Sequence, residues 1–457
     1  MRSAIQPISD NWRKLAIFLV FGLGSLFFSR AIASELYGYL FLLLFIGGVT
    51  LLFLKQMELF ILLILLLNHE LFYLLSNEVL GGRNFQGLVY VALFATGLWY
   101  FLRDKKPNDG NFNFVAIALL FIGLMAVFNS FFHGQPLLLG IKAAKGYFLI
   151  LFYFVFMARP IDTQKLFKLI IISGVILTFL NNVQYLFFGK IRIFHFFREM
   201  ERAGQLRFLI GDFFAIFAPI IAFGEYLKNK KKIYLFASLY MVITMTLQGQ
   251  TRAVMWGSLV TLFLLLYLAK KINYMKVVIY GVPLLVILIW IIPLIQSTFL
   301  GELYELTKHE ITRREGNVAI RFDAYNYYLG EIFQSPLIGR GIWSEAFDIY
   351  MGDNPEDMTE QGLYLSDIGI TSLIFHAGLI GALWLVWLLV KVYKRVFISR
   401  RQIKEEIPYG LVGYFIFGLS TILTLNCFLH HRTIIYLALA LALLTQSESF
   451  NQENQTT

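Results

Sequence analysis

Long apolar runs recur along the whole chain and constrain its fold more than any other feature. Hydrophobic residues make up 58% of the 457 residues and charged residues only 15%, whereas about a quarter of a soluble domain is charged. Because a backbone inside a bilayer must satisfy its own hydrogen bonds, runs of this length predict helices. The sequence therefore predicts an all-α integral membrane protein with about 14 transmembrane helices. The runs lie at 15–33, 37–54, 57–76, 86–102, 113–132, 140–158, 166–188, 208–226, 232–248, 252–269, 275–298, 362–390, 408–426 and 432–446.

The lysines and arginines between these runs predict the orientation of the chain. With the N-terminus inside, every second connection carries a basic cluster, and basic loops normally stay in the cytoplasm. We therefore expect a multi-pass protein with both termini in the cytoplasm. The clusters are RDKKPND (103–109), RPIDTQKLFK (159–168), KNKKK (228–232), KKINYMK (270–276) and KRVFISRRQIK (394–404).

This orientation divides the chain into four parts. Residues 1–298 hold the first eleven spans, and 299–361 form one long extracytoplasmic loop. Residues 362–446 hold the last three spans, and 447–457 form a polar cytoplasmic tail. Long loops without structure of their own are uncommon and usually functional, so the extracytoplasmic loop is a candidate for function.

Part of the extracytoplasmic loop has the spacing of a helix. In NVAIRFDAYNYYLGEIF (317–333), Ala324 and Tyr328 are spaced for one helix face. Arg321 and Tyr325 are spaced for another. We therefore expect the loop to be partly helical.

One connection predicted to lie outside departs from this distribution of lysines and arginines. The stretch KIRIFHFFREMERAGQLR (190–207) is strongly basic and yet falls on the outside. Basic residues there oppose the orientation signal, which suggests that a negatively charged partner holds them. The alternative is that these arginines extend to the phosphates of the outer leaflet.

Several signatures of other enzyme classes are missing from the sequence. It has no Walker A loop, no HExxH, no GxSxG and no DxD pair, which argues against ATP hydrolysis, zinc proteolysis and cytosolic nucleotide-sugar transfer. Cys427 is the only cysteine, so an intramolecular disulfide is excluded and a cysteine-based metal site is not expected. The net charge of +10 fits cytoplasmic basic loops and does not indicate nucleic-acid binding. We expect no metal and no cofactor.

The basic candidates for function gather toward the predicted outer face. Arginine binds phosphate oxygens in pairs through its planar guanidinium, so such a group predicts a cationic pocket. For each residue alone, a headgroup contact or a structural ion pair is the alternative. The residues are Lys142, Lys145, Arg198, Arg202, Arg207, Arg252 and Arg321.

Three further residues are candidates for proton transfer. His69 and Glu70 lie inside a predicted span, where ionisable residues are costly and usually face an interior or a cavity; a structural pair is the alternative. Asp367 opens another span from the outer side, where a carboxylate can act as a general base. The alternative for Asp367 is an acid favoured by the helix dipole.

Short motifs resemble those of the O-antigen ligase/polymerase superfamily of bacterial envelope glycosyltransferases. After Arg321, the chain has PLIGRG at 336–341 and GLIG at 378–381, as in the external-loop pattern of that family. QGQTRA (248–253) is similar to the family's T-x-S-R before a span, and ERAGQLRFLIGD (201–212) resembles its upstream stretch with arginine and glycine. The motifs cover about 200–385, whereas the resemblance in architecture covers nearly the whole chain.

The resemblance implies a GT-C-like membrane glycosyltransferase that acts outside the cytoplasmic membrane on glycans carried by undecaprenyl diphosphate. Counted back from GLIG, the histidine position of the family holds Asp367. Ligases typically keep that histidine, so the aspartate favours a metal-independent polymerase of repeat units for exopolysaccharide, capsule or O-antigen. The implied catalytic residues are Asp367, Arg321 and Arg252, and the other basic candidates are expected to bind the diphosphate.

Two alternatives stay open at this point. A ligase that transfers the glycan to another acceptor is the alternative within the same class. A lipid-linked oligosaccharide flippase is the alternative from another class, but a flippase predicts inverted repeats and charge along its path. The expected partners are the undecaprenyl-diphosphate-linked oligosaccharide, membrane lipids, and a flippase and chain-length regulator of the same pathway.

Overall fold

The computed structural model describes most of the chain after residue 111 and one helix before it. The described ranges are 57–68, 112–188, 200–202, 205–207, 212–249, 252–269, 317–344, 365–399, 407–425, 427–430 and 433–455, with single residues between them. Within these ranges the regular secondary structure is helical apart from one β-hairpin of strands β1 (Met200–Arg202) and β2 (Gln205–Arg207). Short 3₁₀ turns cover Leu149–Leu151 and Leu365–Ile368, and a π-helical turn covers Lys394–Ser399. The α-helices are α1 (Met57–Asn68), α2 (Asn113–Phe132), α3 (Leu137–Ala143), α4 (Lys145–Phe148), α5 (Phe152–Met157), α6 (Thr163–Leu186), α7 (Asp212–Asn229), α8 (Lys232–Gly249), α9 (Arg252–Leu268), α10 (Asn317–Gln334), α11 (Ile370–Tyr393), α12 (Tyr409–Ser420) and α13 (Ile434–Gln455).

Three described helices are long and apolar enough to cross a membrane. They are α2, α6 and the stretch Ile370–Ile398, which contains α11. Helices α3 to α5 form a fourth if their 61° bend is counted within one span. The total of about 14 spans stays a prediction, because the runs at 15–33, 37–54, 86–102 and 275–298 lie wholly or mostly outside the described residues.

Exposed aromatic side chains line the long helices. Phe114, Phe121 and Phe128 are exposed along α2, and Trp256 and Phe263 are exposed along α9. Residues seven apart lie on nearly the same side of a helix, so each set forms an apolar stripe. Large exposed apolar surfaces mark contact with a partner or a membrane, and these stripes suit the hydrocarbon of a bilayer.

The core centres on the first half of α13. Every residue from Ile434 to Leu444 is at most 3% exposed, so this helix is apolar on all sides and enclosed by its neighbours. It packs against α5. The ring of Tyr436 also meets those of Phe213 and Phe217 on α7 edge to face, with centroids 5.0 Å apart in each pair.

The helix bounds correct the predicted spans in three places. The span predicted at 362–390 becomes an α-helix only at Ile370, because the preceding residues form a 3₁₀ turn. The span predicted at 408–426 ends as a helix at Ser420. Helix α13 continues to Gln455, so most of the stretch expected to be a polar tail is helical.

Several contacts join helix ends that the sequence assigns to the cytoplasmic side. The Arg395 guanidinium donates two hydrogen bonds to the Leu444 carbonyl, at 3.0 and 2.9 Å. The Lys165 ammonium lies 3.0 Å from the Glu58 carboxylate. The segment after α11 therefore contacts α13, and the start of α6 contacts the start of α1. The side of the membrane on which these contacts lie stays a prediction.

The segment 336–341, hereafter the strap, fills a break in α11. At Gly378 the backbone of this helix has φ +59° and ψ −149°, which frees backbone groups from their helical partners. The strap forms hydrogen bonds with these groups: the Leu379 N–H donates to the Pro336 carbonyl at 2.8 Å. Gly378 follows the first residue of α11 by about 12 Å along the helix axis, so the strap contacts α11 about two turns from its N-terminal end.

The other side of the strap is held by polar side chains at the end of α2. The Asn129 amide donates to the Gly339 carbonyl at 2.6 Å. The Gln135 amide donates to the Ile342 carbonyl at 2.8 Å, and its oxygen accepts the Ser344 N–H at 2.7 Å. The strap is therefore fixed between α2 and α11.

Replacing Gly378 with alanine should destabilise the protein by at least ~1–3 kcal/mol, the usual range for a strained backbone conformation. The added Cβ would lie 2.4 Å from the Leu337 carbonyl carbon, and a positive φ disfavours any side chain. Thermal unfolding of the detergent-purified protein measures the loss. Gly330→Ala is the matched control, since a Cβ there meets nothing within 4 Å and alanine favours a helix. Equal stability of Gly378→Ala and the wild type would contradict the role of the break.

Candidate active site

The residues 421–425 after α12, hereafter the junction segment, connect α9 to the start of α11. Helix α9 approaches the segment so closely that a Cβ on Gly257 would lie 2.4 Å from the Thr421 methyl group. The Ile370 N–H, the first of α11, donates to the Ile422 carbonyl at 2.7 Å. The junction segment therefore contacts α9 at Gly257 and holds the first residue of α11 by a backbone hydrogen bond.

Helix α10 reaches the junction segment through Tyr325. The Tyr325 hydroxyl donates a hydrogen bond to the Leu423 carbonyl. Burial raises the pKa of this hydroxyl, and the positive charge of Arg321, one helical turn earlier, opposes that rise. The Arg321 Nε is buried, and no described residue accepts a hydrogen bond from it. The Nε–H group of Arg321 is therefore available to donate a hydrogen bond to a ligand beside Tyr325.

Asp367 lies in the 3₁₀ turn just before α11 and is partly buried. Helix α10 covers this turn, because Ala324 and Tyr328 pack against its apolar residues. The Tyr328 hydroxyl also donates to the Leu363 carbonyl at 3.0 Å. Gly369 is the N-cap residue of α11, and no side chain caps that helix. Asp367 is therefore not the cap of α11.

The three predicted catalytic residues thus belong to elements that meet at the junction segment. Arg252 is the first residue of α9, about 7.5 Å along the axis from Gly257. Arg321 lies on α10, and Asp367 lies in the turn that leads into α11. These residues are far apart in the sequence, and the fold brings their elements together.

The basic stretch 190–207, predicted to be an outer loop, contains the β-hairpin, which the sequence pattern did not predict. Its strands are antiparallel, with Met200 opposite Arg207 and Arg202 opposite Gln205. Paired residues share a face of a hairpin, as do alternate residues along a strand. Positions 202 and 207 therefore lie on the same face. Strand β2 contacts α8, the helix that precedes Arg252.

Lys142 and Lys145 lie on either side of the bend between α3 and α4, and both are exposed. Two residues beyond the bend, the Tyr147 hydroxyl lies 3.1 Å from His376 Nδ1 on α11. This hydrogen bond connects the bent helices to the region just before the break in α11. The segment that carries the two lysines is therefore linked to α11 through Tyr147, whereas the lysine side chains themselves are exposed.

Three predicted site residues, His69, Glu70 and Arg198, lie outside the described residues, and their roles stay predictions. Helix α1 ends at Asn68 with its side chain buried. This position is next to the polar pair expected inside a span.

Sequence reasoning missed two polar pairs. Arg340 of the strap lies 3.1 Å from the Glu331 carboxylate on α10, and His376 contacts Tyr147. An ionisable side chain inside an apolar run usually has a partner or faces a cavity. His376, two residues before GLIG, offered that signal.

The sequence matches no protein-family model, and no curated protein matches it significantly.

Proposed function

We propose that the protein polymerises undecaprenyl-diphosphate-linked oligosaccharide repeats at the outer face of the bacterial cytoplasmic membrane. The product would be an exopolysaccharide, a capsule or an O-antigen. The observation that carries this proposal is the meeting of three elements at the junction segment, which bear Asp367, Arg321 and Arg252. Transfer of a glycan from a lipid diphosphate needs a base for the acceptor and positive charge for the leaving group, and these residue types fit both needs.

The proposed reaction is a direct displacement. A sugar hydroxyl of the acceptor attacks the anomeric carbon of the donor, and Asp367 takes its proton. The bond between that carbon and the diphosphate oxygen breaks, and the lipid diphosphate leaves with the electron pair. Arg321 and Arg252 stabilise the negative charge that grows on the leaving group. Such a displacement inverts the anomeric centre.

The remaining basic residues are assigned to binding the donor diphosphate. Positions 202 and 207 share one face of the hairpin, and paired arginines suit a diphosphate because each guanidinium can hold two oxygens. Arg198 precedes them in the same loop. Lys142 and Lys145 are exposed at a helix bend, where an ammonium acts as a point charge for phosphate.

The placement in the membrane is supported by the apolar helices and by the distribution of charge. Three to four described helices are suited to crossing a bilayer. The basic clusters alternate between the apolar runs, which supports a cytoplasmic N-terminus. This orientation puts α10, the strap and the hairpin outside, where the lipid-linked repeats would be joined.

Reconstitution tests the proposal directly. The purified protein in lipid vesicles should convert undecaprenyl-diphosphate-linked single repeats into a ladder of longer chains, each step equal to one repeat. The reaction should continue in EDTA if arginines hold the diphosphate. A ligase would transfer glycan to a separate acceptor without a ladder, and a flippase would move the lipid across the bilayer with its glycan unchanged. Either of these outcomes would contradict polymerisation.

A further inference from the structure

Uncharged hydrogen-bonding side chains occur near the C-terminal end of α6 and in the middle and C-terminal part of α8. Both helices are otherwise largely apolar, with exposed residues such as Phe179 and Ile243 on their outer faces. Polar side chains within membrane helices are costly and usually face an interior or a cavity. We name these residues the amide cluster, which consists of Asn181, Asn182, Gln184, Tyr240, Thr244 and Gln248.

Asn182 is the centre of the amide cluster. Its amide nitrogen donates to the Tyr240 hydroxyl at 2.8 Å and to the Thr244 hydroxyl at 3.2 Å. Its oxygen accepts a hydrogen bond from the Gln248 amide at 2.8 Å. Three bonds to one side chain fix its orientation, so this part of the cluster is pre-organised. Single polar bonds between membrane helices contribute only about 0.6 kcal/mol on average, which is a weak reason to retain so many polar groups.

Asn181 has unused hydrogen-bonding capacity. Its Oδ1 atom is buried, and no described residue donates a hydrogen bond to it. A buried acceptor without a partner is rare and calls for an explanation such as a missing ligand. Asn181, Asn182 and Tyr240 are only partly buried, so part of the cluster lies at the surface of the protein.

Contacts connect the helices of the amide cluster to the stretch 190–207. Strand β2 contacts α8, which carries half of the cluster. The Gln184 oxygen accepts the Ile193 N–H at 2.6 Å and so ties the start of the basic outer loop to α6. Gln248 is four residues before Arg252. The helices that carry the cluster therefore adjoin the stretch that contains the hairpin on which the proposed diphosphate would lie.

We propose that the amide cluster binds a sugar ring of the lipid-linked glycan, one that carries hydroxyl groups and no charge. Amide and hydroxyl groups both donate and accept hydrogen bonds, as the hydroxyls of a sugar do. Because none of the cluster's side chains is charged at neutral pH, the cluster suits a neutral sugar better than a uronic acid. The inference rests on the proposed function, since that function places a diphosphate on the hairpin.

Two lipid probes separate sugar binding from diphosphate binding. The probes are undecaprenyl diphosphate without sugar and undecaprenyl diphosphate that bears one N-acetylglucosamine, each titrated onto the detergent-purified full-length protein. Asn181→Leu should weaken binding of the sugar-bearing lipid by ~10-fold or more, as expected for a lost buried hydrogen bond. It should leave binding of the sugar-free lipid unchanged. Gln248→Leu, on the other helix, should have the same selective effect.

The control variant is Thr178→Val. Thr178 lies one turn before Asn181, and its hydroxyl bonds to the Gly174 carbonyl of its own helix, so both affinities should stay at the wild-type values. Wild-type affinities of the two leucine variants for both lipids, or an equal loss for both, would show that the cluster only links α6 to α8 and would overturn the inference alone. A wild-type protein that binds neither lipid would overturn the inference together with the proposed function.

Discussion

Asp367→Asn should lower the rate of repeat polymerisation by ~10²–10⁴-fold, the usual range for the loss of a general base. Asparagine has nearly the same size and can accept hydrogen bonds, but it cannot take a proton from the acceptor hydroxyl. The turn that holds Asp367 is packed under α10 by its apolar neighbours, so this change should leave the fold intact. Protein yield and donor binding should both stay near wild type.

The rate is measured in vesicles that contain equal amounts of wild-type or variant protein. Asp323→Asn is the control, because Asp323 is an exposed carboxylate on α10 and should be dispensable. Asp367→His should keep partial activity, since histidine also accepts a proton. A wild-type rate in Asp367→Asn would make the residue structural, and the base would then be sought at His69 and Glu70.

Arg321→Ala should reduce polymerisation by ~10²–10³-fold, as expected when one pre-organised donor to a growing negative charge is removed. Lipid-linked single repeats should accumulate in cells that carry this variant. Arg321→Lys should restore little activity, because lysine keeps the charge but loses the planar pair of donors. The buried Nε of Arg321 makes the geometry of the guanidinium as important as its charge.

Asn326→Ala is the matched control for Arg321, since Asn326 is an exposed residue on the same helix. Chain ladders from the three strains are compared on gels, with protein levels in the membrane measured in parallel. Normal ladders from Arg321→Ala would remove Arg321 from the site. Full activity of Arg321→Lys would show that charge alone is enough there.

Apolar periodicity predicted the helices well where each helix is a single uninterrupted run. The bounds of α2 match the predicted 113–132, and the helix expected at 317–333 is α10 with a buried Ala324 and Tyr328. Such patterns depend only on which residues face the core, and the sequence contains that information directly.

The breaks and the hairpin could not be predicted in the same way. Gly378 lies in an unbroken apolar run, and a glycine in such a run does not reveal that its φ is positive. The break is stabilised by the strap, which is far away in the sequence. The strap forms hydrogen bonds with the backbone groups that the break leaves without helical partners. The hairpin at 200–207 is too short and too polar for the alternation that marks a strand.

The sequence indicates the residue types of the candidate site. It does not indicate which parts of the chain come together to form the site. Positive charge near the outer face indicated a phosphate ligand, and Asp367 indicated a base. Nothing local in the sequence indicates that Tyr325 contacts Leu423, or that Ile370 contacts Ile422. These contacts join distant parts of the chain, and only the folded packing creates them.

The strap has a consequence for how a long product could leave the proposed polymerase. Helix α10 is fixed at the junction segment by Tyr325, near the turn by Tyr328, and at its far end by a strap held between two other helices. It therefore cannot swing open as a lid without breaking backbone hydrogen bonds that the break in α11 requires. In the proposed polymerase, a growing polysaccharide would move past a part of the structure that does not open, and its final length would depend on how quickly it dissociates between additions.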